Sequence, residues 1–184
     1  KMLALGFASA DMLALARSAA IEAGKHMLAR AGAAVAATKL SSRDLVTEVD
    51  RECQQMIENR ISTAFPDHGL LGEESVAPGI DAAVTAALEL ETSPWSWVID
   101  PVDGTTNFVA GLPMSVVSIG IARYGEPIGA VVYDPYRDEL YSAWRGEGAT
   151  LNGRRIHVSD APTLADAVVC APCPHSPTSM PPAL

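Results

Sequence analysis

Over residues 9–31 the apolar positions Met12, Leu15, Ala16, Ala19, Ala23 and Met27 recur at three- and four-residue intervals. That spacing predicts an amphipathic helix with one face against a core. Asp11 is its expected N-cap and Gly32 its expected stop. A second stripe, Val49, Cys53, Met56, Ile57, Ile61 and Ala64, predicts another helix, entered from a turn marked by Ser41, Ser42 and Asp44 and followed by Pro66. Two helices of similar length joined by a connector predict an antiparallel pair, and an Ala-rich run over 81–91 predicts one more helix. From residue 95 onward the period changes. Short apolar or β-branched runs at 97–99, 114–122, 128–133 and 140–144, separated by Gly, Pro and Asp, predict strands. Asn152-Gly153, between 149–151 and 154–158, predicts a tight hairpin turn. Helices first and strands second predict an α+β fold, a helix pair packed on a largely antiparallel sheet, rather than a regularly alternating one. No internal repeat stands out.

Composition sets the scale of this picture. The 184 residues, 48% of them hydrophobic, suffice for one domain or for one domain and part of a second. With 5% aromatic residues, packing falls to Ala, Val, Leu and Ile. A net charge of -9 and a pI near 4.8 exclude nucleic acid and an anionic membrane as main partners. An acidic protein handling an anionic substrate needs mediating cations. No apolar run reaches membrane-spanning length and the N-terminus lacks signal-peptide order, so a soluble chain is expected. It begins at Lys1, which leaves room for an upstream targeting segment and leaves open both the cytoplasm and an organelle lumen such as a plastid. Cys53, Cys170 and Cys173 make no disulfide framework, and a reducing compartment is the simpler reading. Cys170 and Cys173 lie in a Pro-dense stretch that reads as an irregular tail rather than a zinc or redox motif.

The chemistry concentrates in three acidic segments. Trp97-Val98-Ile99-Asp100-Pro101-Val102-Asp103-Gly104-Thr105-Thr106-Asn107-Phe108 runs an apolar strand into two carboxylates three apart, then into a turn able to open a helix. Hard cations take oxygen ligands and helix N-termini take phosphate, so one short segment can hold both halves of a metal-assisted phosphate reaction. Asp44-Leu45-Val46-Thr47-Glu48-Val49-Asp50 and Gly72-Glu73-Glu74-Ser75, read as a loop, add further carboxylates. Taken singly, Asp44 is a helix cap, Glu73 and Glu74 are solvated and Asp100 closes a strand. Together they would repel one another unless cations neutralised them.

In order and spacing, these three segments resemble the N-terminal motifs of the inositol monophosphatase family. That family belongs to the magnesium-dependent, lithium-sensitive phosphatases, with fructose-1,6-bisphosphatases and 3'-phosphoadenosine-type nucleotidases as relatives. The resemblance runs over residues 10 to 165, and the Thr105-Thr106-Asn107-Phe108 ending with Gly111-Leu112-Pro113 is similar to the inositol monophosphatase branch. It implies a layered α/β sandwich of the sugar-phosphatase type. Residues 1–165 would form its N-terminal domain, and 166–184 the start of a truncated second subdomain or the Pro-rich tail. It further implies Mg2+ as cofactor, with Glu73, Asp100 and the Val102 carbonyl on a first ion, Asp100 and Asp103 sharing a second, and Glu73 helping with a third. Gly104 and Thr105 would give backbone N–H groups to phosphate. Glu73, Thr105 and Asp50 form the implied catalytic set, Thr105 and Asp50 positioning and deprotonating water. Glu74 would stand behind the ligands, and Lys39 near the site. Cys53 and the histidines at 26, 68, 157 and 175 are read as structural or surface residues.

The implied reaction is hydrolysis of a small phosphate monoester by metal-activated water. Inositol monophosphate is the first candidate; histidinol phosphate, fructose 1,6-bisphosphate and a 3'-phosphoadenosine nucleotide are alternatives. A homodimer is what the family suggests. The family's later Trp-Asp-x-Ala-Ala-Gly-type motif, with a further metal ligand, has no counterpart in residues 165 to 184. The expectation is therefore a truncated chain, weakly active or inactive alone, with exposed apolar surface where the remainder would pack. A catalytically dead remnant that binds metal or a partner protein is the competing expectation.

Overall fold

The computed structural model describes residues 2–34, 48–77 and 80–169. Helix α1 spans Met2–Ala34, longer at both ends than its expected caps. Asp11 and Gly32 lie inside it. Residues 2–10 contain no proline, and a lone glycine costs about 1 kcal/mol relative to alanine, too little to stop a helix set among Ala, Leu and Met. The buried stripe keeps Met12, Ala16, Ala19, Ala23 and Met27 of the expected set and adds Ala20, while the expected Leu15 is only half-buried.

Helix α2 spans Glu48–Ala64 and buries Val49, Cys53, Ile57 and Ile61, together with the polar Asp50 and Gln54. Its expected flank members Met56 and Ala64 are half-buried and exposed. The pair is antiparallel, as four side-chain contacts require: Arg60 reaches Ser18 and Glu22, Glu52 reaches His26, and Glu48 reaches Arg30. Small side chains on α1 permit close approach. A Cβ on Gly24 would stand 2.6 Å from the Tyr133 ring, so the helix lies directly on the sheet. Helix α3 spans Ile80–Thr92, close to the run expected there.

Among the described residues seven strands follow one another across one sheet in chain order: β1 Gly69–Gly72, β2 Ser96–Asp103, β3 Val116–Arg123, β4 Glu126–Asp134, β5 Glu139–Trp144, β6 Gly148–Leu151 and β7 Arg154–Ile156. Each pair from β2 to β7 is antiparallel. Asn152 and Gly153 both take positive φ, 49° and 77°, as the hairpin signal predicts. Tyr124-Gly125 does the same between β3 and β4, with φ of 50° and 76°. Strand β1 corrects the sequence reading. It is four residues long, pairs parallel with β2, and ends at Gly72, where a loop was expected; Glu73–Ser75 then form a 3-10 turn. A Gly-Leu-Leu-Gly strand is too short and too glycine-flanked to show a period of two.

The sheet presents one face to the helices. Trp97, Ile99, Ile119, Ile121 and Val131 fill that core with the α1 and α2 stripes. Because side chains alternate, Val98 and Asp100 point to the other face. The pairing register sets Val98, Gly120, Ala130, Ala143, Ala149 and Ile156 in one row across it. Val98 is 39% and Ile156 36% exposed, so an apolar strip stands open to solvent. Among the described residues no helix is long and apolar enough to cross a membrane.

Candidate functional site

Two carboxylates three residues apart on a regular strand would face opposite sides of the sheet. Here they do not, because β2 carries an irregularity between them. Asp100 stands opposite Ser118 while Asp103 stands opposite Val116. Three steps along β2 match two along β3, the signature of a β-bulge, and this returns Asp103 to the face that Asp100 occupies. Pro101 and Val102 are buried within the bulge, and proline suits the position because it has no N–H to contribute to a ladder.

The parallel register of β1 supplies the third carboxylate. Gly72 pairs with Ile99, so the residues that follow, Glu73 just past β1 and Asp100 on β2, fall side by side. The Asp100 carboxyl is pushed up from 3.8 to about 8, first by burial and then by the charge of Glu73, a hydrogen bond with Glu73 and the charge of Asp103. Glu74, half-buried behind the turn, is raised as well, by burial, Asp50 and Glu73. Asp100 Oδ1 is buried with no hydrogen-bond partner, an arrangement that a bound metal ion resolves. The donors are all hard oxygens, as Mg2+ prefers. Glu73 and Asp103 are exposed, however, and among the described residues no three His, Cys, Asp or Glu side chains gather closely enough to cage a metal by themselves. The chain thus fits a divalent cation as the start of a coordination shell.

Immediately after the bulge, Gly104 turns the chain into the short helix α4, Thr105–Val109. Its φ of 94° and the 2.7 Å that would separate a Cβ from the Met114 carbonyl both require glycine there. The first N–H groups of a helix have no partners within it, and those of α4 begin next to the carboxylates. Thr105 Oγ1 lies 3.3 Å from Asp50 Oδ1 and 3.0 Å from the Val102 carbonyl. A hydroxyl has one proton, so it donates to one of these acceptors at a time and keeps lone pairs for a water. Asp50 is 2% exposed, so a carboxylate from α2 is delivered to the end of β2.

The structure therefore brings Glu73, Asp100, Val102, Asp103, Gly104, Thr105 and Asp50 together, with Glu74 beside them. Lys39 and Asp44 lie outside the described residues, as do Cys170, Cys173 and His175. The remaining candidates behave structurally: His26 pairs with Glu52, His68 accepts from Trp97 Nε1 at 2.9 Å, and burial pushes the Cys53 thiol up to about 12. One residue at the site escapes the sequence reading. Gln54, 6% exposed, holds the Glu73–Ser75 turn through Glu74 N–H and Ser75 Oγ. Its signal was available, a polar residue one turn after Asp50 on an otherwise apolar stripe.

Comparison with known proteins agrees with this geometry. The model of the Inositol monophosphatase family matches residues 9–182. Inositol monophosphatase 2 of Solanum lycopersicum is 45% identical over 126 residues, 68% of this chain and 45% of that protein. Nus factor SuhB of Pasteurella multocida is 42% identical over 145 residues, 79% of this chain and 51% of that protein. The crystal structure of extragenic suppressor protein suhB from Bartonella henselae covers 82% of this chain and 55% of its own, with a TM-score of 0.68 and 34% identity. The chain spans about half the length of the curated relatives it matches. Family members are phosphatases of phosphoric monoesters and are generally metal-dependent. With Asp50, Glu73 and the Asp100–Thr105 segment meeting at the end of β2 and a family match over residues 9–182, this chain belongs to the inositol monophosphatase family.

Proposed function

We propose that the chain supplies the metal-and-phosphate part of a Mg2+-dependent phosphomonoesterase site, with inositol monophosphate as its first substrate. The observation that carries the reading is the buried, partnerless Asp100 Oδ1 beside Glu73 and Asp103. Glu73, Asp100, the Val102 carbonyl and Asp103 would hold Mg2+, with Asp100 common to two ions. Bound there, Mg2+ supplies positive charge to the phosphoryl oxygens and lowers the pKa of water. Thr105 and Asp50 orient the attacking water, the hydroxyl accepting from it while the carboxylate takes up the displaced proton. Gly104 and Thr105 offer backbone N–H groups to phosphate oxygens, and Glu74 adjusts the local charge. No covalent intermediate is required.

Substrate choice rests on the tomato relative's name and on the Thr105-Thr106-Asn107-Phe108 ending. Phosphate release from inositol monophosphate, histidinol phosphate, fructose 1,6-bisphosphate and a 3'-phosphoadenosine nucleotide tests it, with Mg2+ or chelator and with Asp100→Asn as control. Slow, Mg2+-dependent release favouring inositol monophosphate and abolished by Asp100→Asn is expected. Turnover unchanged by Asp100→Asn would remove the metal assignment. A metal-binding module without turnover is the second reading; metal binding with no release from any of the four esters would select it.

A further inference from the structure

Glu73 sits on a three-residue turn, and a short exposed turn does not by itself fix a carboxylate. Something must hold it against Asp100. Gln54 reaches this turn from α2, 20 residues earlier in the chain than Glu74, and its amide makes three hydrogen bonds. Oε1 accepts from Glu74 N–H at 3.0 Å, while Nε2 donates to Ser75 Oγ at 2.8 Å and to Glu58 Oε1 at 2.9 Å. The orientation is unambiguous: a backbone N–H only donates and an ionised carboxylate only accepts, so the amide oxygen faces Glu74 and its nitrogen faces Glu58. On its other side the amide lies flush against Gly72, where any Cβ would collide with it. Gln54 therefore touches the last residue before Glu73 and both residues after it.

We infer that Gln54 is a positioning residue, a clamp from α2 that sets the Glu73 carboxylate beside Asp100 for cation binding, with Glu58 fixing the clamp's orientation. The inference rests on the proposed role of Glu73 and Asp100 as metal ligands. It adds a chain of contacts from α2 to the 3-10 turn to the ligand. Partners one step behind a metal ligand typically change metal affinity about tenfold to a hundredfold when removed. A nearby negative charge alone would act differently. Glu at position 54 would strengthen cation binding by charge, but as a clamp it loses its donors to Ser75 and Glu58 and faces a like-charged carboxylate.

Mn2+ titration of the full chain, followed by electron paramagnetic resonance, separates these cases. Gln54→Leu is expected to weaken Mn2+ binding by about tenfold or more, and Gln54→Glu to weaken it as well. The swap Gln54→Glu with Glu58→Gln restores a donor–acceptor pair at unchanged net charge and is expected to recover most of the loss. Amide exchange at Glu74 should speed up in Gln54→Leu and slow again in the swap. Mn2+ binding abolished by Asp100→Asn but unaltered in Gln54→Leu would overturn the clamp alone. Tighter binding in Gln54→Glu would overturn it in favour of simple charge, and loss in Gln54→Leu with no recovery in the swap would reduce Gln54 to a general structural role. No Mn2+ binding by the unaltered chain would overturn the ligand assignment, and the clamp with it.

Discussion

Replacing Asp100 with Asn should stabilise the cation-free protein and remove its response to cations. The carboxyl titrates at about 8 in the folded chain against 3.8 ordinarily, so between those values the folded state holds a proton that the unfolded state has released. Stability linked to this group is therefore fully present below about pH 4 and is lost as pH rises through about 8. One pKa unit corresponds to about 1.4 kcal/mol, which sets a ceiling of roughly 6 kcal/mol. The carboxyl is half-buried, and solvent screening brings the working figure to about 1–3 kcal/mol. Urea denaturation in chelator at a series of pH values measures it. Asp100→Asn should be more stable than the parent chain by that amount near pH 8 and equal to it near pH 4. Adding Mg2+ near pH 8 should stabilise the parent chain by mass action and leave Asp100→Asn unmoved. A variant less stable than the parent in chelator near pH 8, or a gap that does not close on acidification, would rule out a raised Asp100 pKa as the source of the strain.

Other consequences are local. Gly104→Ala should destabilise the chain by about 2 kcal/mol or more in thermal or chemical melts, since it combines a left-handed φ with a clash against the Met114 carbonyl. Thr105→Ala leaves the fold intact but removes the hydroxyl shared by Asp50 and Val102; phosphate release should fall about a hundredfold with Mn2+ affinity unchanged. Burial lowers the His68 pKa, so the neutral ring that accepts from Trp97 contributes stability fully present above about pH 6.5, lost as pH falls through the lowered folded value. The pH dependence of tryptophan emission should show this transition, and His68→Phe should abolish it.

Much of the architecture was legible because it follows from periodicity. The α1 stripe, the α2 stripe and the hairpin at Asn152-Gly153 depend on residue types at fixed intervals, and they appear where the spacing puts them except for the flanking Leu15, Met56 and Ala64. The limits of α1 were not legible, since a cap signal at Asp11 competes with a run of good helix formers on both sides of it. Strand β1 was illegible for a different reason: its existence depends on a parallel partner more than 20 residues away, and nothing local announces it. Of the site, the residues themselves could be read, but what gathers them could not. The bulge that turns Asp103 to the face of Asp100 and the register that brings Glu73 alongside are properties of the sheet. Gln54 left a sequence signal in its polar place on an apolar stripe, but its role depends on the turn it touches.

The bulge of β2 and the turn after β1 are proposed to form a cation site. Anomalous diffraction from crystals soaked in Mn2+ tests it most directly. A peak bound by Glu73, Asp100 and the Val102 carbonyl, absent from Asp100→Asn crystals, is expected. A Mn2+ peak elsewhere with none at Asp100, or one that persists unchanged in Asp100→Asn, would contradict it.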